Sequence, residues 1–145
     1  MEHHKINKPK LLIVEDDIEN QRFLYLFLKK YFYVDTTDSS DQFYQLIEQK
    51  KYDVFIMDIA IRGDKDGLEL TRELKNSSEY ANTPVLCYTA HAFHTDRINA
   101  LNAGSDLYLT KPSDIRTLLH SLMMLLKKSG KEVAYDFEEQ RAVNL

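Results

Sequence analysis

Asp58 closes the run Tyr52-Asp53-Val54-Phe55-Ile56-Met57, whose four consecutive apolar residues read as a strand covered on both faces. Three other short apolar runs also lead into polar groups. Leu11 to Val14 is followed by Glu15 and Asp16, Val85 to Tyr88 by Thr89, and Leu107 to Thr110 by Lys111. As parallel strands, these runs bring all five side chains to one edge of one sheet, the edge where open α/β sheets bind ligands. Three carboxylates gathered there repel, by about 4 kcal/mol per pair at 4 Å and an effective dielectric of 20. Lys111 offsets part of that charge, and a divalent ion offsets the rest. A donor set of oxygens without His or Cys favours Mg²⁺, with Mn²⁺ as its alternative, over zinc. A carboxylate nucleophile beside such an ion is equipped to take up a phosphoryl group as an aspartyl phosphate. Asp58 is then the candidate acceptor, Lys111 the partner of the phosphoryl oxygens, and Thr89 a hydroxyl able to bond one of them.

Those residues need elements to hold them. Asp17 is placed to cap a helix from Ile18, with Phe23, Leu24, Phe27, Leu28 and Tyr31 at helical intervals. Phe32 to Thr37 is a second strand candidate. Ser39 followed by Gln42 fits a capping box, and Phe43, Leu46 and Ile47 give the next helix its buried face. A loop with two glycines, Ile59 to Gly67, leads into a helix from about Leu68 to Lys75. Thr95 is expected to cap a helix running to Ala103, with Ile98 and Leu101 inward. A last helix spans Ser113 to about Lys128, with Ile115, Leu118, Leu119, Leu122 and Leu126 inward. This alternation predicts an α/β fold: a doubly wound five-stranded parallel sheet in the flavodoxin-like order 2-1-3-4-5, with helices on both faces.

Composition sets the outer bounds. The chain has 145 residues, 43% hydrophobic and 29% charged, as in a soluble globular domain. A net charge of −4 gives no reason to expect direct contact with nucleic acid. No apolar stretch approaches membrane-spanning length, and the polar start, Met1 to Lys10, lacks the hydrophobic segment of a signal peptide, so the expected compartment is the cytoplasm. His3 and His4 lie in a Lys-rich leader and read as a frayed end rather than a metal site. Cys87, in an apolar run, reads as a small core residue. The expected organisation is a flexible leader over 1–8, one domain over 9–128, and a tail over 129–145 that is mobile or loosely docked.

The segments I-V-E-D-D (13–17), Y-D-V-F-I-M-D (52–58), D-G-L-E-L (66–70), P-V-L-C-Y-T-A-H-A (84–92) and A-G-S-D-L-Y-L-T-K-P (103–112) together resemble the receiver domain of two-component response regulators, in its chemotaxis-regulator-like, single-domain form. The resemblance covers about residues 9–128. It implies that Asp58 is the phosphoacceptor and that a histidine kinase or histidine phosphotransfer protein is the donor. It also implies Asp16 as a direct Mg²⁺ ligand, Glu15 acting through water, the backbone carbonyl of Ala60 as a further ligand, and Thr89 with Tyr108 as a switch pair. Such a domain is a phosphoacceptor that assists its own phosphotransfer and dephosphorylation, not a turnover enzyme, and output is expected through a downstream protein partner. In this family the bond at the Lys111-Pro112 position is usually cis.

This chain departs from the family pattern in two places. Ile61-Arg62 stands where Met-Pro is usual, and the loop to Asp66-Gly67 is one residue longer, with Asp64 and Lys65 expected in solvent. Leu107 stands where receivers that pair through their last two helices carry an acid. His91 lies near the mouth of the site, and His94 and His120 read as surface or helix residues. One alternative reading is a receiver fragment of a hybrid histidine kinase. A more distant one is an Asp-nucleophile phosphatase, which wants a second acid where Ala60 stands.

Overall fold

The computed structural model describes residues 7–137. Its elements in chain order are β1 (Lys10–Val14), α1 (Ile18–Leu28), β2 (Tyr33–Thr37), α2 (Ser40–Gln49), β3 (Val54–Met57), α3 (Gly67–Asn76), β4 (Val85–Thr89), α4 (His94–Asn102), β5 (Leu107–Thr110) and α5 (Ile115–Lys128). The five strands are parallel in the order β2-β1-β3-β4-β5, the expected flavodoxin-like topology. Among the described residues, no helix is long and apolar enough to cross a membrane.

The pleat divides the core in two. Leu11, Ile13, Val54, Ile56 and Leu86 face α1 and α5, where Leu24, Leu28, Leu118, Leu122 and Leu126 meet them. Leu12, Val14, Phe55 and Met57 face α2 and α3 and pack with Phe43, Leu70 and Leu74. Every residue of β3 and β4 is buried, which is why both read as continuous apolar runs in the sequence. Each fully buried Leu, Ile or Phe contributes about 1.5–3 kcal/mol relative to its exposed state.

Helix caps follow the local sequence closely. The Asp17 side chain accepts from the Glu19 N–H at 3.0 Å and Ser39 from the Gln42 N–H at 3.2 Å. Asp66 and Glu69 form a reciprocal capping box, with bonds of 2.9 and 3.3 Å. Asp114 caps α5, accepting from the Arg116 N–H at 2.8 Å.

α4 is where the sequence expectation needs correction. It begins at His94, not Thr95, and the Asp96 carboxylate accepts from the Phe93 N–H at 3.2 Å. Ile98 and Leu101 are 42% and 43% exposed, and the inward positions are Ala100 and Ala103. A nine-residue helix offers more than one stripe at the 3.6-residue period, and side-chain size favoured the wrong one. Phe23 is likewise 56% exposed, while Leu24 and Leu28, four apart, take the buried side of α1.

Gly130, at φ 92°, ends α5. Its N–H donates to the Lys127 carbonyl at 3.1 Å and the Lys131 N–H to the Leu126 carbonyl at 2.9 Å, the paired bonds of a Schellman turn. The chain then lies back on the α1 and α5 side of the core, where Val133, Tyr135 and Phe137 pack. The Tyr135 and Phe137 rings meet edge to face with centroids 4.8 Å apart, and the His120 ring lies 5.9 and 5.6 Å from them. The Tyr135 hydroxyl is 3.3 Å from His120 Nδ1, the Lys127 ammonium is 5.0 Å from the Phe137 ring centroid, and Lys131 pairs with Asp53 at 3.4 Å. Residues 1–6, with His3 and His4, and residues 138–145 fall outside those described.

Edge-to-face aromatic pairs of this kind add about 0.5–1.5 kcal/mol beyond the area they bury. Phe137→Ala is therefore expected to lower unfolding stability by about 1–2 kcal/mol, and Tyr135→Phe, which keeps the ring, by less. Urea denaturation of the full chain checks both, and equal stability of Phe137→Ala and the parent would contradict the packing.

Candidate functional site

The carboxyl ends of β1, β3, β4 and β5 place the five side chains on one edge. Asp58 directly follows β3, its N–H donating to the Val14 carbonyl at 2.9 Å, and Glu15 is fixed by an N–H bond to the Thr37 carbonyl at 2.9 Å. Lys111 follows β5 through an N–H bond to the Thr89 carbonyl at 2.8 Å, and its bond to Pro112 is cis. Its ammonium reaches Asp58 Oδ2 at 2.7 Å and the two Glu15 oxygens at 2.9 and 2.7 Å. It also stands 5.7 Å from the centroid of the Tyr88 ring.

Glu15, Asp16 and Asp58 each offer a carboxylate oxygen, and those atoms lie within 4.8 Å of one another. Glu15 and Asp58 are buried, while Asp16 is half exposed. An all-oxygen set with one side open to solvent fits a hard divalent ion such as Mg²⁺, which keeps several waters. Ala60 lies exposed in the bend two residues after Asp58.

Burial and competing charges set the protonation states. Glu15 is raised from an ordinary 4.5 to about 7, first by burial and then by the hydrogen bond with Asp58, against the pull of Lys111. For Asp58, burial acts to raise its pKa, but the hydrogen bonds from Glu15 and Lys111 outweigh it and hold the carboxyl below its ordinary value. Lys111 is raised: burial alone would lower it, and the two carboxylates overcome that. Near neutral pH the resting site thus has an ionised Asp58, a firmly charged Lys111, and Glu15 poised between its two forms.

Thr89 is fully buried at the end of β4, and its hydroxyl accepts from the His91 N–H at 3.3 Å while favouring the ionised form of Asp58. Tyr108 is half exposed on β5, and its hydroxyl donates to the backbone carbonyl of His91. Cys87 is buried and its thiol pushed up to about 12, chiefly by burial and then by Asp58, in keeping with a core residue.

Several contributors escape a reading of the sequence. The Asn20 amide donates to Glu15 Oε1 at 3.3 Å and the Gln21 amide to the Glu15 carbonyl at 2.8 Å, so the first turn of α1 steadies the acid before it. Their only signal was two amide side chains following an acidic triplet. Gly67 donates its N–H to the Ile59 carbonyl at 2.9 Å, and a Cβ there would lie 1.9 Å from the Asp58 carbonyl oxygen. The longer loop is tied down at Arg62, which exchanges backbone bonds with Asp38 and Ser40 at 2.9 Å each. Asp64 and Lys65 are exposed, with Lys65 3.6 Å from Glu69.

A family model described as the response regulator receiver domain matches residues 11–123. Among curated relatives, the transcriptional regulatory protein ResD of Bacillus subtilis is 27% identical over 86% of this chain and 51% of its own length. Protein PetR of Rhodobacter capsulatus is 33% identical over 86% of this chain and 52% of its own. The chain thus spans about half the length of these relatives. Among solved structures, the receiver domain of Francisella response regulator 1452 is 28% identical at a TM-score of 0.76, covering 84% of this chain and 99% of that one. The receiver domain of the sensor histidine kinase PA1611 from Pseudomonas aeruginosa, solved with a magnesium ion coordinated in its active-site cleft, is 29% identical at 0.75, covering 83% and 99%.

Two outcomes test this geometry. Gly67→Ala is expected to cost about 1–3 kcal/mol of stability, because the added methyl forces the Asp58 backbone to move; thermal or urea unfolding measures it. Glu15 binds its proton more tightly folded than unfolded, so its contribution to stability is fully present below 4.5 and is lost as pH rises to about 7. Asp58 acts in the opposite sense, its contribution being lost only as pH falls below its ordinary 3.8. Without divalent ions, the parent is therefore expected to lose melting temperature between about pH 4.5 and 7, and Glu15→Gln to flatten that slope.

Proposed function

The chain belongs to the response regulator receiver domain family, and we propose that it acts as a switch set by phosphorylation of Asp58. Receiver domains serve phosphorylation-based signalling in two-component systems. The observation that carries the reading here is the Lys111 ammonium, 2.7 Å from both Glu15 and Asp58 beside the carboxylate of Asp16.

The donor in this reading is a phosphohistidine of a histidine kinase or a histidine phosphotransfer protein. An Asp58 oxygen attacks phosphorus, the new P–O bond forms as the P–N bond breaks, and the imidazole leaves neutral after taking a proton. Glu15, Asp16 and Asp58, with the Ala60 carbonyl, would hold Mg²⁺ or Mn²⁺; when bound, that ion supplies positive charge opposite the phosphoryl oxygens. Lys111 exchanges its carboxylate contacts for a phosphoryl oxygen, remaining charged throughout. The Thr89 hydroxyl turns toward another phosphoryl oxygen, and Tyr108 leaves the His91 carbonyl to fill the space Thr89 vacates. The surface around α4, β5 and α5 then changes its affinity for a downstream protein, a shift between two packings of the same core.

A second reading, a receiver cut from a sensor histidine kinase, is favoured by the 29% identity to the PA1611 receiver domain. Peptide mapping of the protein immunopurified from its own cells separates the two, since peptides of a histidine kinase core are expected only in this second reading.

Incubation with acetyl phosphate and Mg²⁺ is expected to give one hydroxylamine-labile phosphoryl group per chain, absent in Asp58→Asn and strongly slowed in Lys111→Ala or by EDTA. Thr89→Ala is expected to accept the group but to leave the Tyr108 ring signals unshifted in NMR spectra. Label retained in Asp58→Asn, or steady release of phosphate from phosphate esters, would overturn the switch in favour of another acceptor or a hydrolase.

A further inference from the structure

A second cleft lies apart from the phosphoryl site. It has a volume of about 540 Å³ and lies at the amino ends of β1 and β2, where Lys10 pairs with Tyr33, the opposite edge of the sheet from Asp58. Lys8, Lys10, Lys29 and Lys50 line it against a single acid, Asp35. That acid is already engaged, 2.6 Å from the Tyr52 hydroxyl and 3.1 Å from the Lys50 ammonium. The cleft is thus a local excess of positive charge in a chain of net charge −4.

Aromatic rings stand beside these charges. The Lys8 ammonium lies 5.8 Å from the centroid of the Tyr33 ring, and the Lys29 ammonium lies 5.8 Å from that of Tyr25. Both rings are large and accessible, 55% exposed for Tyr33 and 41% for Tyr25. Lys8 also donates to the Lys29 carbonyl at 3.3 Å, just past the carboxyl end of α1, which offsets the negative end of the helix dipole there. Lysines bind phosphates as point charges, and planar aromatic side chains offer a stacking surface to any base. A cleft of this volume falls within the range of small-molecule sites.

From this juxtaposition of four lysines and two accessible tyrosines we propose that the cleft binds a nucleoside polyphosphate, the phosphates on Lys8, Lys10 and Lys29 and the base against Tyr33 or Tyr25. This site is independent of the phosphorylation reading: its ligand touches none of Glu15, Asp16, Asp58 or Lys111. Lysines beside an edge strand also discourage sheet-to-sheet association, a role that needs neither the rings nor a ligand, so the experiment must tell the two apart.

The test is an NMR titration of the ¹⁵N-labelled full chain with ATP, adenosine and inorganic triphosphate separately, without Mg²⁺. ATP is expected to give saturable shifts of the Lys10, Lys29 and Tyr33 amides, with an affinity that falls as salt is added. Triphosphate alone and adenosine alone should bind more weakly than ATP. Lys10→Gln with Lys29→Gln should weaken ATP by about tenfold, and Tyr33→Leu should remove the advantage of ATP over triphosphate. No saturable shift, or shifts centred on Asp58 and Lys111, would overturn the proposal. Equal affinity for triphosphate and ATP would reduce the cleft to a general anion surface and overturn it as a nucleotide site.

Discussion

One ammonium shared by two buried carboxylates organises the functional end of this molecule. Gathering Glu15, Asp16 and Asp58 at a sheet edge is unfavourable unless something cationic stands among them, and Lys111 is placed to do so by the last strand. That strand is held by β4, which is held by β3, so the register of three neighbours sets the distance between charge and countercharge. The shared contact also divides the proton unevenly. Glu15 is raised toward neutrality and Asp58 is kept ionised, leaving the more nucleophilic form on the residue that ends the central strand.

Much of this could be read before any coordinates. β3 and β4 are buried on both faces, so their sequences are unbroken apolar runs and the polar residues that end them stand out. Asp58 and Thr89 were therefore visible as strand ends, Lys111 stood out after the half-buried run of β5, and the strand-helix alternation pointed to the doubly wound sheet. The caps at Asp17 and Ser39 were visible for a different reason: a side chain bonding an N–H two or three residues on is a local event with a local signature.

What could not be read depends on tertiary contact. α4 buries Ala100, with Ala103 just past its end, rather than its larger apolar residues, and which stripe of a short helix meets the sheet is decided by tertiary packing that the sequence pattern does not record. Tyr135 and Phe137 looked like scattered apolar residues in a charged tail, since their partner, His120, lies 15 and 17 positions earlier on α5. The need for glycine at 67 was hidden in the same way. The loop around it suggests a turn, but only the approach of its Cα to the Asp58 carbonyl explains why any side chain is excluded.

The altered loop after Asp58 ends up less free than its extra length implies. Arg62 makes one backbone bond to Asp38, between β2 and α2, and one to Ser40, and places its guanidinium 3.7 Å from Asp38. Ser40, whose N–H donates to the Arg62 carbonyl, is the first residue of α2. The strap thereby ties the backbone just past the central strand to the start of α2, on the side of the sheet order away from β5.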